Sequence, residues 1–211
     1  MLLGHRGARA YTRVAENTPA SFDLALQHGC RGFEFDVRRT ACGRAVICHD
    51  AKAKGLTIAK VNCERLKHLP QLHEVLAAYR NRAFLDIELK VAGLESEVLV
   101  ALGQNAPQRG YVVSSFIPEV INDLRLRSAS VPLGWICDKK RLLNRWWDLP
   151  VEYVILHHSL ITADLVEELH NAEKIVLAWT VNDKPTMRRL AKWKVDGIIS
   201  DQTRRLVDAF N

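Results

Sequence analysis

The chain alternates short apolar runs, rich in β-branched and aromatic residues, with segments of helical spacing, and this pair repeats eight times. The spacing predicts strands at residues 2–5, 32–37, 84–89, 111–115, 131–136, 152–156, 175–181 and 196–200. It predicts helices at residues 19–28, 71–79, 95–105, 118–127, 139–147, 163–171, 185–194 and 204–210. Eight strand–helix units are the number found in a (β/α)8 barrel, or TIM barrel, so the predicted fold class is α/β.

A doubly wound open sheet alternates in the same way, but it usually has fewer units and a GxGxxG turn after its first strand. Here that turn is His5-Arg6-Gly7, which lacks the pattern. The length of 211 residues is near the lower end for a barrel, so the loops must be short. We therefore expect one barrel domain spanning residues 1–211.

A ninth apolar run, residues 44–49, does not fit the alternation. The four-residue turn 40–43 joins it to the second strand, whose predicted end at residue 37 leaves only six residues before the run. Four residues can close a hairpin, whereas a parallel crossover needs about a dozen or more. The sequence therefore predicts a short antiparallel flap after strand two, ending at His49 and Asp50.

The composition excludes several classes of protein. With 48% hydrophobic and 26% charged residues, the chain is neither disordered nor fibrous. No run of about 18 apolar residues is present, so no transmembrane segment is expected. Met1 leads directly into the first predicted strand, without a charged and apolar leader, which favours a cytoplasmic location.

Charge and cysteine content bear on the partners of the protein. The net charge of +6 is scattered, so a nucleic-acid-binding module would rest only on the pI of about 9.2, and we expect no nucleic-acid partner. The five cysteines form no CxxC pair, and we expect reduced thiols that are mostly buried. No pattern in the sequence indicates an oligomeric state.

Two of the predicted strands carry carboxylates at alternate positions. Glu34 and Asp36 share one face of strand two, and Asp86 and Glu88 share one face of strand three. The opposite faces are apolar and should meet the helices, so the charged faces should point into the barrel. Inward carboxylates without partners are costly, and a bound cation removes that cost.

We therefore expect a divalent cation held by three hard oxygen ligands from Glu34, Asp36 and Glu88. Such ligands suit Mg²⁺ or Ca²⁺ better than zinc. The alternative is an internal salt-bridge network in which Arg6 and Lys90 neutralise the carboxylates.

A cation beside Arg6 and Lys90 forms a site suited to a phosphate group. His5 and His49 are predicted at the same barrel mouth, and imidazole titrates near neutral pH. The two histidines can therefore serve as a general acid and a general base on opposite sides of phosphorus.

The order of motifs along the chain resembles the glycerophosphodiester phosphodiesterase family. The motifs are Gly4-His5-Arg6-Gly7, Glu16-Asn17-Thr18, Glu34-Phe35-Asp36, His49-Asp50, Glu88-Leu89-Lys90, Ser114-Ser115-Phe116, Trp179-Thr180-Val181-Asn182 and residues 196–201. Each is weak alone, but eight in order over nearly the whole chain are specific. The resemblance implies a metal-dependent barrel enzyme that hydrolyses glycerophosphodiesters, which are small molecules, to sn-glycerol 3-phosphate and an alcohol.

By matching motif, the resemblance implies the same acid–base pair, the same metal ligands and the same phosphate-binding cations. It adds Glu16 and Asn17 at the site, with Asn17 orienting its neighbours, and it makes Phe116 and Trp179 apolar walls of the substrate cleft. His157 or His158, which follow strand six, could also reach the mouth. The chain departs from the family at residues 51–69, where we expect a shortened insertion and altered substrate specificity.

Two other functions remain open at this point. The same machinery could act on lysophospholipids, as a lysophospholipase D-type activity, or the barrel could bind phosphate esters without catalysis. The sequence also leaves open whether water or the glycerol 2-hydroxyl is the nucleophile, and which histidine is the acid.

Overall fold

The computed structural model describes residues 1–211 and centres on a closed barrel of eight parallel strands. The strands are β1 (Leu2–Gly4), β2 (Gly32–Arg39), β3 (Phe84–Leu89), β4 (Tyr111–Ser115), β5 (Leu133–Cys137), β6 (Tyr153–His157), β7 (Ile175–Trp179) and β8 (Gly197–Ser200). Neighbours in the chain are neighbours in the barrel, and β1 pairs with both β8 and β2. This closure confirms the (β/α)8 barrel and excludes the open doubly wound sheet.

Helices cover the outside of the barrel. They are α1 (Pro19–Gln27), α2 (Leu72–Tyr79), α3 (Glu95–Asn105), α4 (Pro118–Arg127), α5 (Ala163–Asn171), α6 (Lys184–Lys192) and α7 (Thr203–Val207). The predicted helix at 139–147 is wrong in type, because this segment is a 3₁₀ helix, Lys140–Trp147. No side chain caps its start and only Trp146 is buried, so little packing favours an α-helical turn. No helix is both long and apolar enough to cross a membrane.

Helix α1 shows how local sequence sets an element. The side chain of Thr18 accepts a hydrogen bond from the Ser21 N–H, which caps the start of the helix, and Pro19 follows. Gly29 has a φ of 98°, a left-handed conformation that ends the helix. Phe22 then stacks on Phe33 of β2 with ring centroids 4.1 Å apart, which docks α1 on the barrel.

Because side chains alternate along each strand, one apolar core lies between the strands and the helices and a second lies inside the barrel. The outward residues of β2 and β3, among them Phe33, Phe35 and Ile87, are buried against the helices as predicted. A second cluster fills the lower barrel interior with Leu3, Phe84, Val112, Ile136, Ile155, Leu177 and Ile199. Since this apolar cluster occupies the base, the inward polar residues lie above it, at the carboxyl ends of the strands.

The flap is also present as predicted. A strand, Ala45–Ile47, runs antiparallel to β2, with Val37 opposite Ile47. The 51–69 segment then forms a small hairpin, Lys52–Ala53 with Leu56–Thr57, and two 3₁₀ turns, Ile58–Lys60 and Cys63–Leu66. Its own core consists of Val46, Ala53, Ile58 and Leu66.

The cysteines divide into buried and exposed thiols. Cys30 and Cys137 are buried, in agreement with the expectation for small apolar side chains. Cys48 and Cys63 are half-buried, and Cys42 is exposed. The expectation that most of the thiols are buried is therefore wrong, because only two of the five are buried and Cys42, in the turn between β2 and the flap, is exposed.

Candidate active site

Four carboxylates meet inside the barrel mouth. Glu34 and Asp36 come from β2, Asp86 and Glu88 come from β3, and all four are buried. The register of the two strands sets Glu34 beside Asp86 and Asp36 beside Glu88. One carboxylate oxygen from each of Glu34, Asp36 and Glu88 lies within 4.8 Å of the others. The structure therefore brings the three predicted metal ligands together.

Two cations contact this cluster but do not satisfy it. The Lys90 ammonium lies 2.6 Å from Glu88 Oε1 and 3.3 Å from Asp36 Oδ1. The Arg6 Nε lies 3.2 Å from Asp36 Oδ2. None of these contacts has hydrogen-bond geometry, and Glu34 Oε1 and Asp86 Oδ2 also lack a hydrogen-bond partner. Arg6 and Lys90 do form a salt-bridge network with the cluster, but Glu34 Oε1 and Asp86 Oδ2 are left without a partner.

The carboxylate pKa values are raised, mainly because the groups are buried. Burial raises the pKa of Glu34 well above its usual range, and the charges of Asp36 and Glu88 add to the effect. Burial raises the pKa of Asp86 to about 7, although Ser114 donates to it. Burial also raises the pKa of Glu88 to about 7 in spite of the Lys90 charge.

The donor set fits a divalent cation. Four buried carboxylates face two protein cations, so two negative charges remain when all are ionised. The available donors near the cluster are hard carboxylate oxygens, which match Mg²⁺ or Ca²⁺. Asp86 differs from the other three because its Oδ1 accepts a hydrogen bond from the Ser114 hydroxyl at 2.5 Å.

Two loop residues reach the cluster from left-handed backbone conformations. Arg6 has a φ of 50° and Asn17 a φ of 57°, which are uncommon for residues other than glycine. The Arg6 N–H donates to Glu34 Oε2 at 2.9 Å, and Asn17 Nδ2 donates to Asp36 Oδ2 at 2.8 Å. The Arg6 guanidinium also pairs with Glu16 at 2.9 Å. This backbone strain coincides with the placement of predicted site residues.

His5 is buried between Asp201 and the acidic cluster. Its Nδ1 lies 2.7 Å from Asp201 Oδ1, and its Nε2 lies 3.8 Å from Glu34 Oε2. Because a carboxylate only accepts hydrogen bonds, Nδ1 carries the proton and Nε2 faces the cluster. Burial lowers the pKa of His5, although Asp201 opposes this, and so favours the neutral form of the ring.

His49 lies at the end of the flap, outside the carboxylate cluster that His5 adjoins. It directly follows Cys48, whose N–H donates to the Asp36 carbonyl at 2.9 Å, so the flap sets it beside the end of β2. Its Nδ1 lies 2.8 Å from Asp50 Oδ1, which leaves Nε2 available as in His5. It borders a groove shared with Glu16 and Asn17 and makes no direct contact with the carboxylate cluster.

An aromatic wall stands opposite the flap. Phe116 follows β4, Trp179 ends β7, and their rings meet edge to face at 5.5 Å. The Lys90 ammonium lies 5.7 Å from the Phe116 ring centre, so the wall adjoins the cluster. The His157 ring meets Trp179 edge to face at 5.7 Å, while His158 lies against His157 with the rings tilted by 33°. Of these two histidines, His157 is the one that reaches the wall.

The candidate set from the sequence omits three groups that hold the site in place. Asp201 fixes His5, and Asn182 Nδ2 donates to Asp201 Oδ2 at 2.8 Å. Ser114 holds Asp86. A signal was available for Asp201 and Asn182, because both follow barrel strands at the carboxyl end. Their partners lie far away in the chain, so sequence patterns alone do not identify the contacts.

Comparison with known proteins adds to this geometry. A family model for the glycerophosphoryl diester phosphodiesterase family matches residues 5–60 and 54–205. The two stretches overlap at residues 54–60, inside the 51–69 segment. A glycerophosphodiester phosphodiesterase of Caldanaerobacter subterraneus subsp. tengcongensis is 27% identical over 237 aligned residues, which cover 99% of this chain and 96% of the relative.

Solved structures agree in fold. A phosphodiesterase of Oleispira antarctica, in complex with the product sn-glycerol-3-phosphate, has a TM-score of 0.87 and 25% identity, and the match covers 99% of this chain and 96% of that one. A glycerophosphodiester phosphodiesterase of Thermotoga maritima has a TM-score of 0.85 and 22% identity, with 98% and 96% covered.

Proposed function

Since the chain belongs to the glycerophosphoryl diester phosphodiesterase family and is an enzyme that hydrolyses glycerophosphodiesters, we propose that its reaction depends on a divalent cation and two histidines. One observation carries the proposal: buried carboxylates of β2 and β3 outnumber the cations around them. Glu34, Asp36 and Glu88 would hold Mg²⁺ or Ca²⁺, because each offers one oxygen to a common point.

The substrate phosphate is bound by positive charge at the mouth. Arg6 and Lys90 border the carboxylate cluster, so their charges are free to attract phosphoryl oxygens once a cation neutralises the carboxylates. When bound, the divalent cation supplies Lewis-acid stabilisation of the negative charge that develops on phosphorus-bound oxygens. Asn17 and Glu16 hold Asp36 and Arg6, respectively, in position.

His5 and His49 divide the proton transfers. The neutral Nε2 of His5 faces the cluster and can accept a proton from the attacking hydroxyl, while Asp201 stabilises the resulting imidazolium. His49, paired with Asp50, lies near the end of β2 and is suited to the complementary transfer. This division of the proton transfers applies whether the nucleophile is water or the glycerol 2-hydroxyl. The two histidines exchange roles if the substrate binds in the opposite direction.

We propose sn-glycerol 3-phosphate as the product. The relative from Oleispira antarctica is described with that product bound, and this chain aligns with it over nearly its whole length. Phe116 and Trp179 would contact the apolar edge of the substrate. The 51–69 segment forms one wall of the groove beside His49, so its short length leaves the alcohol side more open.

A coupled assay tests this function. Purified protein is given glycerophosphocholine, and glycerol 3-phosphate release is followed in parallel with lysophosphatidylcholine at equal concentration. We expect rapid release of glycerol 3-phosphate and little reaction with the lysolipid. A clear preference for the lysolipid would identify a lysophospholipase D-type enzyme. Tight glycerophosphocholine binding without turnover would instead identify a binding barrel.

A further inference from the structure

Two cysteines meet on the flap side of the molecule, outside the carboxylate site. Cys42 lies in the turn between β2 and the flap strand, and Cys63 begins the 3₁₀ turn Cys63–Leu66. The Cys63 N–H donates to Cys42 Sγ at 3.3 Å. Next to this contact, the Ala41 N–H donates to the Val61 carbonyl at 3.1 Å. The two segments are therefore already joined at the point where the thiols lie.

The environment of Cys42 favours the thiolate. Burial acts to raise the pKa of this thiol, but hydrogen bonds from Cys63 and Thr40 outweigh it and bring the pKa to about 7. The Thr40 hydroxyl lies 3.1 Å from the sulfur. Cys42 is also exposed, so both requirements for a reactive thiol are met.

None of the other four thiols is both exposed and lowered in pKa. Burial raises the pKa of Cys30 to about 12, and burial also raises the pKa values of Cys137 and Cys48. The neighbouring Cys42 thiol raises the pKa of Cys63, whose own thiol donates to Asn62 Oδ1 at 3.2 Å. Cys42 is thus the nucleophile of the pair, and Cys63 is the neighbour that can close a disulfide with it.

We propose that Cys42 and Cys63 form a peroxide-sensitive dithiol that closes reversibly to a disulfide between the flap turn and the 51–69 segment. The Cys42 thiolate attacks hydrogen peroxide and cleaves the O–O bond, which gives a sulfenic acid and hydroxide, and the hydroxide takes a proton. Cys63 then attacks the Cys42 sulfur, loses its thiol proton, and displaces the hydroxyl group as water. In total, the two thiols lose two electrons and one peroxide becomes two waters.

The disulfide would close a loop that contains the flap strand and His49. The loop from Cys42 to Cys63 also includes the hairpin of Lys52–Ala53 and Leu56–Thr57. Cross-linking restricts such a loop in the unfolded chain and reduces opening of the segment in the folded protein. We therefore expect the oxidised protein to resist proteolysis within residues 51–69 more than the reduced protein does.

The test uses the full-length protein, treated with a small molar excess of hydrogen peroxide at pH 7.5 and then alkylated. We expect peptide mapping to find a Cys42–Cys63 disulfide, two fewer alkylated thiols, and full recovery after a thiol reductant. Cys63→Ser should stop the reaction at the sulfenic acid, which a 1,3-dione reagent traps on Cys42. Cys48→Ser is the matched control and should oxidise like the parent protein.

Two results would overturn the proposal. One is oxidation of Cys48 at the same rate as Cys42, since this would mean that the exposure and lowered pKa of Cys42 do not make it the more reactive thiol. The other is a Cys42 that forms no disulfide with Cys63 and whose alkylation rate rises only above pH 8.5, the range of an ordinary thiol.

Discussion

The Nδ1 atom of His5 is fixed by Asp201, and this single contact determines which nitrogen faces the carboxylate cluster. This hydrogen bond acts to raise the pKa of His5 and to lower that of Asp201, and both pKa values lie below their usual range. Burial lowers the pKa of His5, and the bond from His5 outweighs burial to bring the pKa of Asp201 to about 2. His49 Nδ1 likewise contacts a carboxylate, Asp50 Oδ1, but this pair is exposed.

Replacing either histidine tests the acid–base assignment. We expect His5→Ala and His49→Ala each to lower kcat by about 100-fold or more, the usual size of such a contribution, because a proton transfer loses its donor or acceptor. Steady-state kinetics with glycerophosphocholine measures this, and His73→Ala on the exposed side of α2 is the control. Near-normal kcat in either variant would remove that histidine from the mechanism.

Replacing the carboxylates tests the metal site. We expect Glu34→Gln, Asp36→Asn and Glu88→Gln each to weaken Mg²⁺ or Ca²⁺ binding by more than about tenfold, since each removes a charged ligand. Calorimetric titration of chelator-treated protein gives the affinity, with the exposed Glu119→Gln as control. Unchanged affinity in all three variants would contradict the assignment.

The flap and the 51–69 segment are the elements that we propose to set the alcohol side of the site. The flap strand positions His49, and the segment packs on it through the core of Val46, Ala53, Ile58 and Leu66. This core is small and the segment is short, so few buried polar groups are available to recognise a particular alcohol. Strong discrimination requires polar groups that are left unpaired by the wrong substrate.

Comparing substrates that differ in the leaving alcohol tests the role of the 51–69 segment. We expect kcat/KM to differ by no more than about tenfold among choline, ethanolamine and glycerol as leaving alcohols, because the short segment encloses them weakly. Removal of the glycerol 2-hydroxyl should have a larger effect. Initial rates with the three diesters and a 2-deoxyglycerol analogue measure both. A hundredfold preference for one alcohol would reveal an enclosing pocket.

At the scale of the whole molecule, the sequence predicts what depends on local pattern. The strand period alone turns Glu34, Asp36 and Glu88 inward, and the repeated strand–helix unit indicates the barrel. The contact between His5 and Asp201 depends on closure of β1 on β8, which joins residues 196 positions apart. No local pattern contains that information, and the same holds for the meeting of Cys42 with Cys63.

The stability of the metal-free protein should fall as pH rises through about 7 and level off toward pH 8.5. The folded pKa values of Asp86 and Glu88, about 7, exceed the unfolded values, so the native state holds more protons in this range. His5, whose pKa is lowered, has the opposite effect only below about pH 6.5.

Thermal melts across this range measure the effect. Mg²⁺ or Ca²⁺ should raise Tm most at the alkaline end, and Asp86→Asn should flatten the profile of the metal-free protein. A metal-free Tm that rises steadily between pH 6.5 and 8.5 would contradict the carboxylate account.

The most direct measurement is the rate of glycerol 3-phosphate release by chelator-treated enzyme as Mg²⁺ or Ca²⁺ is added back. The buried carboxylates that exceed their protein cations predict almost no rate without metal and a saturable return to full rate with it. Glu34→Gln should need much more metal to reach any plateau. Full activity in excess chelator, with no metal detected by elemental analysis, would contradict the central claim.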